Sequence, residues 1–371
     1  MEQKIYNEYV EILKEELLPA MGCTEPIAVA YAAAVAVQAL GEKPESVEVN
    51  VSANIIKNVK SVVVPCTGGL RGIGAAVCAG IVAGCPEKEL EILEEITGEQ
   101  KVEMKKMLDT MPMTIRESDK EYIFDIQIKA CAGGHSGYVE IAGFHTNVIC
   151  VKKDDEIIRE KAYEEQGSSC ATDRSLLTVE KIIEFADCVD VADVEEVLQR
   201  QIDYNWAIAE EGMTGNWGAA IGKTLMEAYG NSVHNRAKAM AAAGSDARMN
   251  GCELPVIINS GSGNQGMTSS IPVIEYAKEF DADEDTLYRA LALSNLVTIH
   301  QKTGIGRLSA YCGAVSAGAG AGAGIAYLCG GGYEEVIHTV VNALAIVSGI
   351  VCDGTKASCA AKIASAVDAG I

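Results

Sequence analysis

The sequence predicts an α+β fold, in which a mixed α/β N-terminal and middle portion is followed by an all-helical C-terminal domain. Three observations predict it. Alternating apolar and β-branched residues occur in several segments between residues 46 and 153. Beyond residue 171 the apolar residues recur almost entirely at helical spacing. Aromatic residues make up only 5% of the chain while 37 residues are Gly, which is typical of helices that pack closely through small side chains.

The expected elements follow in chain order. Two helices at 4–17 and 26–40 form a segment 1–45, an α/β domain occupies 46–170, and a helical domain occupies 171–371. In the middle segment, strands are expected at 46–55, 61–65, 122–133, 137–144 and 146–153, and helices at 72–83 and 88–107. In the last segment, helices are expected at 175–189, 193–212, 217–230, 234–251 and 283–304 and at most positions beyond, interrupted by a glycine-rich stretch after residue 254.

The charge balance excludes some classes of partner. The net charge is −22, so a nucleic acid or an anionic membrane surface would be repelled. A small zwitterionic substrate remains compatible, because a few local groups decide its binding. The first twenty residues form a charged amphipathic pattern without the features of a signal peptide, so we expect a cytoplasmic protein. Its 13 cysteines then serve burial, metal binding or catalysis rather than disulfides.

One uncharged run is long enough to resemble a membrane span. Residues Leu308 to Gly332 carry no charge. Most of them are Ala, Gly and Ser, which gain little from lipid and suit close helix contacts, so we expect a buried helix. The run Val336–Val351 contains His338, Thr339 and Asn342, and we expect it to be buried in the same way.

The C-terminal third holds four cysteines, Cys312, Cys329, Cys352 and Cys359. On an unbroken helix Cys352 and Cys359 would be about 10 Å apart. Asp353-Gly354 indicates a turn, which allows Cys352 to fold back towards Cys359 near a helix N-terminus, where thiolates are favoured. Three such thiolates suit zinc or an iron-sulfur cluster with one open iron. Buried, inert cysteines are an equally weighted alternative.

An N-terminal cysteine stands directly before a helix, in "MGCTEPIAVAYAAA". With Thr24 as the N-cap, Glu25 and Pro26 occupy the first helical turn. A thiol at this position is favoured as thiolate by the helix dipole, and the negative charge of Glu25 opposes that effect. A reactive or ligating Cys23 and a merely packed one are both compatible with the sequence.

Two glycine-rich turns share an order of apolar run, small-residue loop and helix, "VVVPCTGGLRGIGAAV" and "VIINSGSGNQGMTSSI". Such turns present backbone N–H groups that hold anions, although any strand-to-helix turn has a similar sequence. Neither fits a P-loop or a dinucleotide fingerprint. The second turn offers Ser260, Ser262, Asn264 and Gln265 as partners for an amino-acid carboxylate and ammonium.

Six short motifs together resemble the L-cysteine desulfidase family, which is related to iron-sulfur L-serine dehydratases. They are "GCTEP", "NVKSVVVPCTGG", "FHTNV", "SGSGNQG", "LSAYCG" and "CDGTKASCA", in that order over essentially the whole chain. Cys66 in "VPCTGG" departs from the pattern, where glycine is expected. No zinc-protease or serine-hydrolase motif is present, and of the five histidines only His145 of "FHTNV" belongs to a matching motif.

The resemblance implies a lyase with a 4Fe-4S cluster and no pyridoxal phosphate. Its implied ligands are Cys312, Cys352 and Cys359, with one iron open to substrate, and its implied base is Cys23, which would take the Cα proton of L-cysteine. The products would be hydrogen sulfide, ammonia and pyruvate. The candidate substrate-binding residues are Thr24, Asn54, Lys57, Thr67, Gly68, Gly69, His145, Ser260, Ser262, Asn264 and Gln265.

Two alternatives stay open from the sequence. One is an L-serine or L-threonine dehydratase with the same cluster. The other is a zinc-binding structural or regulatory protein that uses the three cysteines to close a helical domain. The sequence also leaves open a homodimer, and whether Cys66 or Cys329 approaches the cluster.

Overall fold

A computed structural model describes residues 1–163, 172–306 and 308–371. It confirms the α+β class and the helical C-terminal portion. The chain divides into two compact units. We call Met21–Cys170 with Asp353–Lys356 the sheet unit, and Met1–Ala20, Ala171–Cys352 and Ala357–Ile371 the helical unit.

These units divide the chain differently from the three expected segments. The segment 1–45 is shared between them, because its first helix belongs to the helical unit and its second to the sheet unit. The expected boundary between residues 170 and 171 lies outside the described residues.

The elements have the following bounds. The strands are β1 (Pro19–Met21), β2 (Ser46–Val51), β3 (Met113–Glu117), β4 (Asp125–Ala132), β5 (His135–Ala142), β6 (Val148–Lys153), β7 (Glu156–Glu160) and β8 (Pro255–Ile257). The helices are α1 (Gln3–Glu16), α2 (Thr24–Leu40), α3 (Ala53–Val59), α4 (Gly72–Ala83), α5 (Gly98–Thr110), α6 (Val179–Cys188), α7 (Glu195–Thr214), α8 (Ile221–Tyr229), α9 (Val233–Met249), α10 (Gly263–Glu279), α11 (Glu284–Ile305), α12 (Gly313–Leu328), α13 (Tyr333–Val347) and α14 (Ser358–Gly370). Short 3-10 helices occupy Pro86–Glu91, Arg174–Leu176 and Val191–Asp193.

The sheet unit is built on a six-stranded sheet in the order β3-β2-β4-β5-β6-β7. The β2–β3 pair is parallel and the other pairs are antiparallel. Helix α2 lies against both the sheet and α4 with very close backbone contacts. A Cβ added at Gly137 of β5 would lie 2.1 Å from the Ala36 oxygen, and one at Gly80 of α4 would lie 1.9 Å from the Ala30 oxygen. The alanine-rich sequence of α2 permits this approach on two sides.

Several local predictions for the middle segment are wrong. Residues 61–65 form no strand. They belong to a loop that reverses direction at Thr67 and at two glycines with positive φ. As a result, Val64 N donates to Leu70 O at 2.9 Å. The expected strand 46–55 ends at Val51, after which α3 begins. The expected helix 88–107 is a 3-10 turn followed by α5, which starts at a Thr97 capping box.

Two strands of the six-stranded sheet were missed by the sequence analysis, β3 and β7. Both are edge strands. Every residue of β7 is exposed, and so are four of the five residues of β3. An edge strand with both faces open carries no apolar alternation, and the pattern that reveals a half-buried strand is therefore absent.

Helix α12 is buried over most of its length within the helical unit, as the Ala- and Gly-rich sequence predicted. A Cβ at Gly318 would lie 2.4 Å from the Ala366 oxygen of α14, and one at Gly320 would lie 2.6 Å from the Ser294 oxygen of α11. The glycines therefore let two neighbouring helix backbones approach. No helix among the described residues is long and apolar enough to cross a membrane.

Helix α13 differs from expectation. Only Val336, Val340 and Ala343 are buried on it, while Val341 and Ile346 are 55% and 69% exposed. The expectation that the run Val336–Val351 is buried is therefore met on one side of the helix only, because α13 packs along one side.

Candidate active site

Two of the three predicted cluster ligands are brought together by a short backbone bridge in the helical unit. Tyr311 and Val351 form an isolated antiparallel bridge. Across it the N–H groups of Cys312 and Cys352 donate to opposite carbonyls at 3.2 and 2.7 Å. Side chains alternate in extended backbone; Tyr311 and Val351, 62% and 60% exposed, take one face and the two cysteines share the other. Diagonal neighbours of this kind are about 7–8 Å apart at Cα.

The third predicted ligand lies at a helix N-terminus. Helix α14 begins at Ser358, so Cys359 is in its first turn, as the Asp353-Gly354 turn predicted. Cys312 is itself the N-cap residue of α12, which packs against α14. Both thiols therefore lie where the positive end of a helix dipole favours a thiolate.

Cys329 is placed far from this group. It is the C-cap residue of α12, and Cys312 is the N-cap of the same 16-residue helix. A helix of that length separates its two ends by about 24 Å. The open question about Cys329 is thereby answered: it does not approach Cys312.

Lysines partly offset the charge that thiolates would bring. Burial raises the pKa of the Cys312 thiol, and proximity to Cys352 raises it further. Lys362 and Lys302 act in the opposite direction and lower it. Lys302 is 4% exposed, and Lys362, one turn after Cys359 on α14, donates to the Val351 oxygen at 3.0 Å.

The three cysteines are compatible with a cluster rather than preformed around one ion. Within the described ranges, no group of three His, Cys, Asp or Glu side chains converges to hold a single metal ion. In a 4Fe-4S cluster each thiolate binds a separate iron, so its ligands need to surround a volume rather than a point. Cys312 and Cys352 flank the Tyr311–Val351 bridge, and Cys359 lies in the first turn of the helix that follows; their role as cluster ligands stays a prediction.

The sheet unit holds Cys23 in a hydrogen-bonded group of side chains. Cys23 is the N-cap residue of α2, which corrects the expectation that Thr24 would be. Its thiol is 2% exposed and donates to Glu25 Oε2 at 3.0 Å. Thr24 Oγ1 donates to the same oxygen at 3.2 Å, and Asn58 Nδ2 donates to Glu25 Oε1 at 2.8 Å. The Glu25 carboxylate therefore connects the thiol to α3.

A segment from the C-terminal part of the chain completes this group. Thr355 Oγ1 lies 3.5 Å from Cys23 Sγ and donates to the Asn58 oxygen at 2.8 Å. Gly354, with φ +98°, lies so close to Lys57 that a Cβ there would be 2.2 Å from the Lys57 oxygen. In sequence, this segment lies between Cys352 and Cys359.

The "GCTEP" and "VPCTGG" motifs are in contact in the sheet unit. Gly22 has φ +55°, and a Cβ there would lie 2.2 Å from Pro65 Cγ. Cys66 follows with φ +59° and 6% exposure. Thr67 closes the same loop, donating to Val64 O at 2.7 Å and accepting from Leu70 N at 3.2 Å.

The other substrate-binding candidates of the sheet unit lie in different surroundings. Gly68 and Gly69 are exposed at the tip of the loop, with φ +73° and +94°. Asn54 donates to the Ile123 oxygen at 3.4 Å. His145 is 8% exposed and packs edge-on against Phe124, with ring centroids 4.9 Å apart. Their substrate roles stay predictions.

The "SGSGNQG" loop of the helical unit is fixed by a buried amide. Asn259 and Ser262 form a tight antiparallel bridge with Ser260 at φ +51°, and Ser260 Oγ donates to Asn259 Oδ1 at 2.8 Å. Asn259 Nδ2 in turn donates to Asn295 Oδ1 of α11 at 2.9 Å. Gln265, in the first turn of α10, lies against Gly313, where an added Cβ would be 2.6 Å from its side chain. The loop thus reaches the residue next to Cys312.

Comparison with known proteins identifies the family of this chain. The family profile described as serine dehydratase alpha chain matches residues 87–371. The chain belongs to the serine dehydratase alpha chain family. The matched range contains the three predicted ligands and the "SGSGNQG" loop but begins after Cys23.

Curated relatives match the whole chain. A UPF0597 protein of Desulfitobacterium hafniense is 59% identical over 370 residues, covering 100% of this chain and 86% of the relative. A UPF0597 protein of Lachnoclostridium phytofermentans is 52% identical over 370 residues, covering 99% and 88%. One of Treponema denticola is 46% identical over 378 residues, covering 100% and 88%. Their names state no activity. The relation to serine dehydratases is confirmed, and the preference for cysteine stays a prediction.

Sequence reasoning missed three members of these groups. Glu25 was considered only as a charge that opposes thiolate formation, whereas its carboxylate accepts the thiol hydrogen bond. Asn58 and Thr355 were not considered, because nothing local in "KNVK" or "DGTK" indicates that the two segments meet. Only the tertiary fold joins residues 297 positions apart.

Proposed function

We propose that this protein is an iron-sulfur-dependent lyase that removes the β-substituent of a small L-amino acid, with L-cysteine as its substrate. The observation that carries the proposal is the Tyr311–Val351 bridge, which supports Cys312 and Cys352 as ligands on one face. Membership in the serine dehydratase family supports the reaction class. When bound, a 4Fe-4S cluster with one open iron supplies a Lewis acid that makes the thiol or hydroxyl of the substrate a better leaving group.

The chain itself supplies the base. Cys23 can pass its proton to Glu25, whose Oε2 lies 3.0 Å from the sulfur, and the resulting thiolate then takes the Cα proton of the substrate. Asn58 and Thr24 donate to the Glu25 carboxylate and hold it in place. Burial of Cys23 excludes water from this proton transfer.

The reaction balances without an oxidant or reductant. The Cα–H and Cβ–S bonds of L-cysteine break, sulfide leaves with a proton as hydrogen sulfide, and 2-aminoacrylate remains. It tautomerises to an imine, and water converts the imine to pyruvate and ammonia. With L-serine the same steps release water in place of hydrogen sulfide, which makes serine the second candidate substrate because the matched family bears its name.

The deciding experiment combines metal content with product analysis. The protein is purified anaerobically, and its iron and acid-labile sulfide are measured. Hydrogen sulfide and pyruvate are then followed with L-cysteine and L-serine. We expect about four irons and four sulfides per chain and faster turnover of L-cysteine. Faster turnover of L-serine would identify a dehydratase, and zinc in place of iron with no turnover would refute the lyase.

The role of Cys23 is tested separately by Cys23→Ser. This variant should keep its iron and lose turnover, because a serine hydroxyl is a far weaker acid than a thiol. The matched control is Cys78→Ser, at another buried cysteine of the sheet unit, which should retain turnover when it folds. Full activity of Cys23→Ser would eliminate Cys23 as the base.

A further inference from the structure

Arg248 is a buried cation that forms no ion pair with an acid among the residues that the structure describes. It lies in the last turn of α9 and is only 3% exposed. Its one hydrogen bond among the described residues goes from Nη1 to Asn264 Oδ1 at 3.2 Å. Its Nε is buried and has no hydrogen-bond partner among the described residues. A buried charge left unpaired is costly, so this guanidinium is poised for an anion.

Two other arginines of the helical unit are paired with acids. Arg174 pairs with Glu15 and Glu16, and Arg236 pairs with Glu275 and Glu279.

The acid nearest to Arg248 in sequence is already engaged elsewhere. Asp246 accepts from Ile221 N at 2.7 Å and from Ala219 N at 3.2 Å. The negative end of the α9 dipole offsets part of the Arg248 charge. It provides no hydrogen-bond acceptor for the Nε–H group among the described residues.

The guanidinium lies against the start of α10. A Cβ at Gly263, the first residue of that helix, would be 2.5 Å from Arg248 Nε. The N-cap residue Ser262 makes no capping hydrogen bond with its side chain. The first N–H groups of a helix have no partner within it, so a buried cation and an uncapped helix N-terminus meet at one place. Together they favour a carboxylate.

A complementary acceptor lies in the same helical turn. Gln265 is 5% exposed, and its Oε1 is buried without a hydrogen-bond partner in the described residues. This oxygen suits an ammonium group, which donates only. Since the Gln265 side chain lies against Gly313, a ligand held by Gln265 would lie near the residue that follows Cys312.

We propose that Arg248 and the first turn of α10 bind the carboxylate of an α-amino acid, with Gln265 accepting from its ammonium group. This site rests on the proposed function for its ligand, an amino acid. Arg248 belongs to none of the motifs that suggested that function. It anchors the part of the substrate that does not change during elimination.

The test uses a ligand that cannot react. L-Alanine carries both charged groups but no leaving group, and L-alaninamide lacks the carboxylate. Binding of each is measured by equilibrium titration to the anaerobically purified protein and to Arg248→Met. The unchanged protein should bind L-alanine more tightly than L-alaninamide. Arg248→Met should lose about tenfold to a hundredfold in L-alanine affinity, as expected for loss of a charged hydrogen bond. It should then no longer prefer L-alanine to L-alaninamide.

Controls separate binding from folding. Arg200 is a partly buried arginine of the helical unit whose Nε also has no hydrogen-bond partner in the described residues. Arg200→Met should leave the preference for L-alanine over L-alaninamide intact. Arg248→Met should unfold at the same or a higher temperature than the unchanged protein without ligand, since an unpaired buried charge is gone. If it fails to fold, Arg248→Lys, which keeps the charge but not the planar fork, should show the weakened preference instead.

Two results would overturn the site. The first is an unchanged preference for L-alanine in Arg248→Met, or in Arg248→Lys if Arg248→Met does not fold. The second is equal binding of L-alanine and L-alaninamide by the unchanged protein. Neither depends on turnover. An amino-acid site at Arg248 would therefore stand even if iron and lyase activity were absent, and its failure would leave the lyase proposal to its own test.

Discussion

The Cys23 sulfur lies 3.0 Å from Glu25 Oε2, two residues along the chain. The Glu25 carboxylate accepts a hydrogen bond from the thiol through Oε2. Its other oxygen accepts one from the Asn58 side chain at 2.8 Å. A cysteine beside a helix N-terminus would by itself favour the thiolate. The structure adds a carboxylate within hydrogen-bond distance of the thiol, so in the proposed mechanism the Cys23–Glu25 pair, rather than Cys23 alone, moves the proton.

Glu25→Gln tests this pairing. The amide keeps an oxygen for the Asn58 hydrogen bond but cannot accept a proton, so kcat should fall about a hundredfold or more with iron content unchanged. Steady-state kinetics with L-cysteine and iron analysis measure the two effects. Glu42→Gln changes an exposed carboxylate of the same unit and should be neutral. Wild-type kcat in Glu25→Gln would show that Glu25 only packs.

Single replacements of Cys312, Cys352 and Cys359 by Ser should each lower iron and sulfide content, because each removes one thiolate from the proposed cluster. Cys329→Ser is the matched control, since it alters an exposed cysteine at the far end of α12. Metal analysis after anaerobic purification distinguishes them. Iron loss in Cys329→Ser equal to the others would contradict the ligand assignment.

Gly318→Ala should destabilise the helical unit. Its new Cβ would lie 2.4 Å from the Ala366 oxygen, so α12 and α14 must separate, at a cost of about 1–3 kcal/mol. Gly304→Ala, in α11 with nothing within 4 Å of the added atom, should be neutral or stabilise by about 0.5–1 kcal/mol. Urea unfolding compares them, and equal midpoints would argue against the close contact.

Asn295→Ala should loosen the "SGSGNQG" loop. Asn295 Oδ1 accepts from Asn259 at 2.9 Å, from Gln201 at 3.0 Å and from Ser269 at 3.1 Å, and all four residues are fully buried. Leaving these buried donors without an acceptor should lower the free energy of unfolding by about 2 kcal/mol or more. Denaturant unfolding measures the loss, with exposed Asn342→Ala as the control. A stability equal to that of the control would mean that water replaces the amide.

The fold class and most long helices were predictable because their patterns are local. Helix α12 illustrates this: its uncharged Ala and Gly run indicates close packing wherever the partners lie, and they proved to include α11 and α14. Helix α13 is also largely apolar after its first turn, yet one of its sides stays exposed. Composition reports that a segment is apolar, whereas the number of neighbours that cover it is a property of the whole fold.

The candidate site divides in the same way. The sequence by itself determined which residues are candidates for the chemistry: four cysteines, their motifs, a turn at Asp353-Gly354 and a glycine-rich loop before a helix, since residue type and helix-start patterns are local. Only the tertiary structure decided that Glu25 and Thr355 contact Cys23 and that Cys329 lies at the far end of α12. It also decided that Arg248 is buried beside the start of α10 with no acid paired to it among the described residues. These depend on contacts between distant segments, and burial and pairing exist only once those segments have packed.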